Sequence, residues 1–164
     1  EAPPEEGPVE EKPPVVDETA NWKTYRNEEY GFEIKYPAAW PDPETFEEMK
    51  IVIISSEDYQ KSAFTLLSGM SVIIESLRLP KDAVWEEFVE VRGGFSLGFT
   101  LIEGRKVHQT EYENPLTSEY WLLYQFPNPE EELIFALQLN TLKQDKEKHL
   151  KIFNQIFSTF RFLE

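Results

Sequence analysis

A serine in a glycine-rich pentapeptide has the spacing that best matches a known chemistry. The pentapeptide GFSLG (residues 94–98) places Ser96 in the Gly-x-Ser-x-Gly pattern of a hydrolase nucleophile elbow. That elbow needs a strand before the serine and a helix after it, because the sharp turn between them exposes the hydroxyl. Here the apolar pattern predicts a helix before Ser96 and a strand after it. We therefore expect Ser96 to lie in a helix-to-strand connection, and we predict no catalytic residue.

The chain has two histidines, His108 and His149. A histidine base in nucleophilic catalysis needs a hydroxyl or thiol within hydrogen-bond reach. The sequence indicates no such pairing for either residue. We expect His108 to be an ordinary polar residue in the middle of a strand and His149 an ordinary polar residue on the last helix.

Carboxylates are abundant but fall in runs typical of solvated surface, such as 47–48, 86–87 and 130–132. The chain has no Asp-x-Asp-x-Asp-Gly calcium loop, no phosphate loop and no dinucleotide fingerprint. It also lacks cysteine, which excludes disulfides, thiolate metal sites and cysteine nucleophiles. The run 130–132, at a predicted hairpin, is the one place where a hard cation could bind weakly. We predict no cofactor and no specific metal site.

Aromatic residues are concentrated in the segment 112–126, which gives the candidate binding residues Tyr112, Tyr120, Trp121 and Tyr124. In a strand, Tyr120 and Tyr124 share one face while Trp121 lies on the other. Both faces carry bulky side chains. Either helices cover both faces of the sheet, or one aromatic face is exposed as an interface, where Tyr and Trp are favoured.

Composition separates the first twenty residues from the rest of the chain. Residues 1–20 contain seven of the 31 acidic residues, five of the 12 prolines, one basic residue and no aromatic residue. Such a segment cannot bury enough apolar surface to fold, so we predict a disordered, extended tether followed by one domain over 21–164. The tether also suggests an upstream signal peptide, lipidated cysteine or membrane helix.

The net charge of −15 makes most of the surface repel nucleic acid and anionic lipid, so we expect neither as a partner. No run of apolar residues approaches the roughly 20 that a membrane helix needs, so this segment does not insert directly. We expect a monomer.

The elements that must position these residues follow from hydrophobic periodicity and turn residues. The pattern predicts a strand, a Gly31 turn and a second strand at the start, and a helix beginning near Pro80 and ending at 93–94. The last helix is predicted to be capped by Asp145, with Phe153 and Phe157 on its apolar side. Further strands are predicted at 50–55, 69–77, 99–103, 105–113, 118–126 and 132–141. The order implies an α+β fold with an antiparallel sheet and flanking helices.

Two motifs at the ends of the predicted domain carry a family resemblance. The first is NEEYGFEIKYP (residues 27–37), preceded by Trp22 and followed by Trp40, and the second is STFRF (158–162) after the last helix. Together they resemble the PsbP-like family over about residues 21–163. The resemblance implies an antiparallel sheet of about six to seven strands between helices, in an α/β/α sandwich. Members include the extrinsic photosystem II subunit and a nuclear-import factor that binds the GTPase Ran.

The family has no defining catalytic motif, so the resemblance assigns no active-site residue. The chain resembles the uncharacterised bacterial members of this family, which are secreted or lipid-anchored. We therefore expect a non-enzymatic, extracytoplasmic protein-binding or assembly module. The alternatives are a domain that binds a small molecule or a divalent cation in an aromatic and acidic cleft, and a hydrolase.

Overall fold

The computed structural model describes residues 17–89 and 95–164. Within that range two short 3-10 turns, Glu47–Met49 and Lys143–Asp145, accompany the regular elements. The strands are β1 (Lys23–Asn27), β2 (Phe32–Tyr36), β3 (Glu44–Phe46), β4 (Ile51–Ser55), β5 (Gln60–Lys61), β6 (Leu66–Ser68), β7 (Ser71–Arg78), β8 (Phe95–Ile102), β9 (Arg105–Glu113), β10 (Glu119–Pro127), β11 (Leu133–Leu142) and β12 (Arg161–Phe162), and the helices are α1 (Trp85–Val89) and α2 (Lys146–Ser158).

A seven-stranded sheet with the order β3-β4-β7-β11-β10-β9-β8 forms the centre of the molecule, and all its pairs are antiparallel. The two longest pairings join β11 to β10 and to β7, and these strands are buried over most of their length. Burial on both sides explains why they read as nearly continuous apolar runs. The predicted α+β fold with flanking helices is confirmed.

The first face of the sheet is covered by α2 together with a three-stranded sheet of order β1-β2-β12. The apolar side of α2 buries Phe153, Ile156 and Phe157, as its periodicity predicts. Asp145 is the residue before α2, as predicted. Its side chain makes no hydrogen bond to the first turn, so the prediction that this side chain caps the helix was wrong. The β1–β2 turn is as predicted, with Gly31 at a φ of 71°.

Pairing of β2 with β12 brings the two ends of the domain together. Phe32 lies opposite Phe162, and Glu33 lies opposite Arg161, which donates to the Glu33 carboxylate. Arg26 on β1 approaches the same carboxylate at 3.4 Å from the other side. The two motifs that carried the family resemblance are therefore neighbours in space.

A cluster of phenylalanine rings fills the space between this small sheet and the large one. Phe160 stacks on Phe32 at 5.2 Å and makes edge contacts with Phe126 at 5.1 Å and Phe135 at 5.6 Å. The guanidinium of Arg105 lies over four of the cluster's rings, at 4.7 Å from the centroid of Phe126. Burial among these rings lowers the pKa of Arg105, while the contact with their faces stabilises the charge.

The second face is covered at one end by α1. Trp85 and Val89 pack with Leu79 and Ile134, and the Trp85 ring meets Phe99 edge-on at 5.5 Å. The helix was predicted to begin near Pro80, and this was wrong. Asp82 has a φ of 64° and Ala83 N donates to Pro80 O at 3.0 Å, so a turn precedes the helix.

Other boundaries also differ from the predictions. The strand predicted to begin at 99 begins at Phe95, because a bulge near Ser96 lets it continue past the glycine-rich segment. The predicted helix end at 93–94, and residues 1–16 of the predicted tether, lie outside the described residues. The domain boundary at 20–21 stays a prediction.

The ring cluster should dominate the stability of the domain. We expect Phe160→Ala to lower the free energy of unfolding by about 3–5 kcal/mol, because it removes a buried ring that contacts both sheets. Urea denaturation checks this. Phe64→Ala is the matched control, since that ring is 93% exposed and its loss should change stability by less than about 0.5 kcal/mol. Equal effects of the two substitutions would contradict the packing described.

Candidate functional site

Ser96 and His108 are hydrogen-bonded to each other, which the sequence analysis missed. The distance between Ser96 Oγ and His108 Nε2 is 3.0 Å, and Gly98 N donates to the same hydroxyl at 3.2 Å. Ser96 lies in β8 opposite Thr110, one diagonal step from His108, and the register shift between Ser96 and Gly98 closes that step. If residue pairs are counted back from the turn at 103–104, Phe99 is correctly placed opposite His108. The bulge beyond Phe99 has no such signal in the sequence, so the position of Ser96 could not be predicted.

The surroundings of this pair do not complete a catalytic triad. His108 is buried beneath Phe99, with ring centroids 4.9 Å apart. Its Nδ1 atom has no hydrogen-bond partner, and neither does Oε1 of the buried Gln125 directly opposite on β10. In a triad a carboxylate binds the second ring nitrogen, holds the tautomer and stabilises the charged imidazole. Within residues 17–89 and 95–164 no carboxylate binds Nδ1, so these residues do not complete a triad around Ser96.

His149 is buried on α2 and hydrogen-bonds through Nδ1 with the Thr141 hydroxyl on β11. Burial lowers the pKa of His149, with smaller opposing effects from Asp145 and Asp58. The ring borders a cleft of about 380 Å³ that is also lined by Trp40 and Lys148. His149 was expected to be an ordinary polar residue of the last helix; it is a buried residue whose hydrogen bond joins the helix to the sheet.

The acidic hairpin 130–132 does not form a metal cage. Asn128 organises the turn, because its Oδ1 accepts hydrogen bonds from Glu132 N and Leu133 N at 2.9 Å each. Its Nδ2 donates to Glu130 at 2.9 Å, and Glu131 has a φ of 54°. Throughout 17–89 and 95–164 no group of three or more metal-ligating side chains converges.

The four predicted binding residues separate into two pairs. Tyr120 and Tyr124 are buried on the α2 side, where their hydroxyls donate to Glu111 at 3.0 Å and Asn154 at 2.8 Å. Burial raises the pKa of both tyrosines. These two side chains support α2 and present no surface to a partner.

Trp121 and Tyr112 lie side by side on the opposite face, with ring centroids 5.4 Å apart. They are direct cross-strand neighbours, and Asn140 on β11 lies on the other side of Trp121. Trp121 remains 37% exposed, while Tyr112 and Asn140 are half-buried. We call these three residues the Trp121 surface. It occupies the end of the second face that α1 does not cover, because α1 packs against Ile134 and Phe99 at the other end.

The β5–β6 hairpin carries a further exposed apolar side chain near the start of β10. The β5–β6 hairpin is attached to β10 through a hydrogen bond of 3.0 Å from Leu66 N to the Glu119 carboxylate. This hairpin presents exposed Leu67 beside the start of β10. A rigid strand, a partly exposed tryptophan and neighbouring apolar groups make a surface suited to docking another protein.

The pH dependence of stability should reveal the buried His149. Its pKa is lowered in the folded state, so the unfolded chain binds a proton first as pH falls through about 6.5. We expect stability to be fully present above that pH and to decline below it. His149→Gln should show a shallower decline in melting temperature between pH 7 and pH 5 than the wild type. Identical slopes would show that His149 is not held neutral.

The chemistry of Ser96 can be checked directly. We expect a fluorophosphonate probe to leave Ser96 unlabelled, because the base beside it has no partner on Nδ1. Intact-mass analysis of the wild type and Ser96→Ala after exposure gives the measurement. An adduct on the wild type that is absent from Ser96→Ala would contradict this prediction and identify an activated serine.

Comparison with known proteins places the fold. No family model and no curated protein matches the sequence. Cyanobacterial PsbP (CyanoP) from Synechocystis has a solution structure with 16% identity and a TM-score of 0.57, covering 95% of this chain and 99% of that one. The Ran-binding protein Mog1p of Saccharomyces cerevisiae has 11% identity and a TM-score of 0.53, covering 88% and 96%.

A protein from Bacteroides thetaiotaomicron has 14% identity and a TM-score of 0.56, and its match covers 87% of this chain. The present chain spans only 48% of that protein's chain. Among the described residues, no helix has the length and apolar character needed to cross a membrane. The resemblance seen in the sequence is confirmed at the level of structure: the chain has the α+β fold found in both PsbP and Mog1p.

Proposed function

We propose that the chain is a non-enzymatic protein-binding or assembly module, and that the Trp121 surface is its contact site. The observation that carries the proposal is Trp121 itself, which stays 37% exposed on a sheet face whose other end is packed beneath α1. A large aromatic side chain on a rigid strand loses little conformational freedom when it is covered. It therefore contributes more binding free energy than a flexible side chain of similar area.

The chemistry of the surface favours a protein partner. Trp and Tyr are enriched at the centres of protein interfaces, where the surrounding polar groups form hydrogen bonds at the rim. Asn140 and Gln138 provide such amides beside Trp121 and Tyr112. The chain's charge of −15 favours a partner that is basic, or that offers an apolar patch.

The structural likenesses support the same class of function. Mog1p is a Ran-binding protein, and this chain has a fold similar to those of both Mog1p and PsbP. Shared fold alone does not transfer a partner, because sites differ on a common scaffold. What the likeness supports is binding or assembly, and the identity of the partner depends on the Trp121 surface.

The proposal includes an extracytoplasmic location. In it, the acidic, proline-rich residues 1–20 form a tether and 21–164 form the binding domain. Like charges and proline keep such a segment extended, so the tether would hold the domain away from its point of attachment.

A second candidate is small-molecule binding in a cleft between α1 and the sheet. This cleft has a volume of about 560 Å³ and is lined by Trp85 and Phe162 together with Arg105 and Glu103. Aromatic walls with a few charged groups are typical of ligand sites. In this case binding would depend on Arg105 and not on Trp121.

A photo-crosslinking amino acid tests the first proposal. A benzophenone side chain at position 121, in the full chain expressed in its own cells, should give one discrete crosslinked protein. The same group at position 151 is the matched control, because Lys151 is exposed on α2, which covers the other face. Crosslinking at 121 alone supports the proposal. Equal crosslinking at both positions, or none at 121, contradicts it.

A further inference from the structure

One edge of the large sheet is unlike the other. The strand β8 is eight residues long and contains no charged residue and no proline, and among the described strands it pairs only with β9. The opposite edge, β3, is three residues long and is followed by two glutamates in a 3-10 turn. Short, charged edge strands prevent pairing between molecules, whereas a long uncharged edge strand offers a template for it. Only β3 is protected in this way.

Three of the apolar side chains of β8 are exposed to solvent. Phe95 is 77% exposed and Leu101 is 73% exposed, and Leu97 lies between them, also exposed. The strand is nonetheless held firmly, because Phe99 packs edge-on against Trp85 and Ser96 hydrogen-bonds with His108. The exposed apolar side chains therefore belong to an ordered edge strand.

A regular stretch of β8 is available for pairing. The bulge is confined to Ser96–Gly98, where the Ser96 hydroxyl accepts the Gly98 amide hydrogen. From Gly98 to Ile102 the pairing with β9 is continuous. The middle residue of that stretch is Thr100, whose side chain is exposed.

We propose that β8 pairs antiparallel with β8 of a second copy of this chain about a twofold axis at Thr100, joining two seven-stranded sheets edge to edge. An axis normal to the sheet keeps the α1 faces of both copies on the same side. Leu101 of one copy then lies opposite the half-buried Phe99 of the other on that face, so the exposed Leu101 gains an apolar neighbour. The sequence alone led us to expect a monomer, and the edge strand favours the dimer.

Charge distribution supports a second copy as the occupant. β8 itself is uncharged, so two chains of net charge −15 meet where neither carries a charge. The neighbouring β9 has Arg105 and Lys106 beside the Leu101 end, and Glu111 and Glu113 beside the Phe95 end. Antiparallel pairing sets the basic end of one copy towards the acidic end of the other, which avoids like-charge repulsion. The contact is small, so we expect a weak, concentration-dependent dimer.

Sedimentation equilibrium of the full chain over a wide concentration range provides the first test. The wild type should approach the dimer mass at the highest concentrations. Leu101→Lys, which places a charge on the edge, should weaken association by about tenfold or more. Leu116→Lys is the matched control, because Leu116 is exposed in the β9–β10 turn, outside β8, and should associate as the wild type does.

A single introduced cysteine provides a second test that does not depend on the strength of the dimer. Because the chain has no cysteine, Thr100→Cys should form only an intermolecular disulfide on mild oxidation. Thr45→Cys on the opposite edge strand is the control and should stay largely monomeric.

Two results would overturn the proposal. One is a wild type that remains monomeric at every concentration, which would leave β8 to a strand of a different protein. The other is equal disulfide formation by the two cysteine variants. Neither result depends on the Trp121 surface, so the test is independent of the partner proposed for that face.

Discussion

The ring stack between Phe160 and Phe32 is the contact on which the rest of the structure depends. These residues lie 128 positions apart, and their packing holds β2 against β12, with Phe135 of the central sheet beneath them. Because the ends of the domain are stacked on the central strand, α2 is fixed across the first face. Arg105 closes the cluster, where its planar cation is stabilised by the faces of the rings.

The two faces of the central sheet differ in how the described residues cover them. α2 and the small sheet bury Tyr120 and Tyr124 on the first face, and both hydroxyls have partners. On the second face the described part of α1, Trp85–Val89, packs against Ile134 and Phe99 at the end of the sheet away from Trp121. Trp121 and Tyr112 therefore remain where a partner can reach them. The strands themselves carry bulky side chains on both sides, so the packing of the helices decides which of these side chains are buried.

Elements whose signal is local were predictable from the sequence, and contacts that depend on register were not. The Gly31 turn, the buried strands and the apolar side of α2 follow from turn chemistry and periodicity. Alternation also separated Tyr120 from Trp121, but it could not say which face α2 would cover. The Ser96–His108 contact needed the bulge in β8, because regular pairing continued from Phe99–Ile102 would place Ser96 opposite Glu111, whereas the bulge places it opposite Thr110, on the same face as His108. That bulge reflects the competition between glycine φ preferences and strand pairing over several residues.

The two proposed contact surfaces lie on the same half of the sheet, so the proposed contacts of the molecule are concentrated on one side. β8, β9 and β10 carry both the uncharged edge and Trp121, while β3 and β4 end in a short acidic edge. A twofold axis normal to the sheet would leave both Trp121 surfaces of a dimer facing the same way. A partner with two matching sites would then bind through both, and the second contact would form at a high effective concentration. A weak β8 pairing and a modest aromatic surface would in this way strengthen each other without any additional contact.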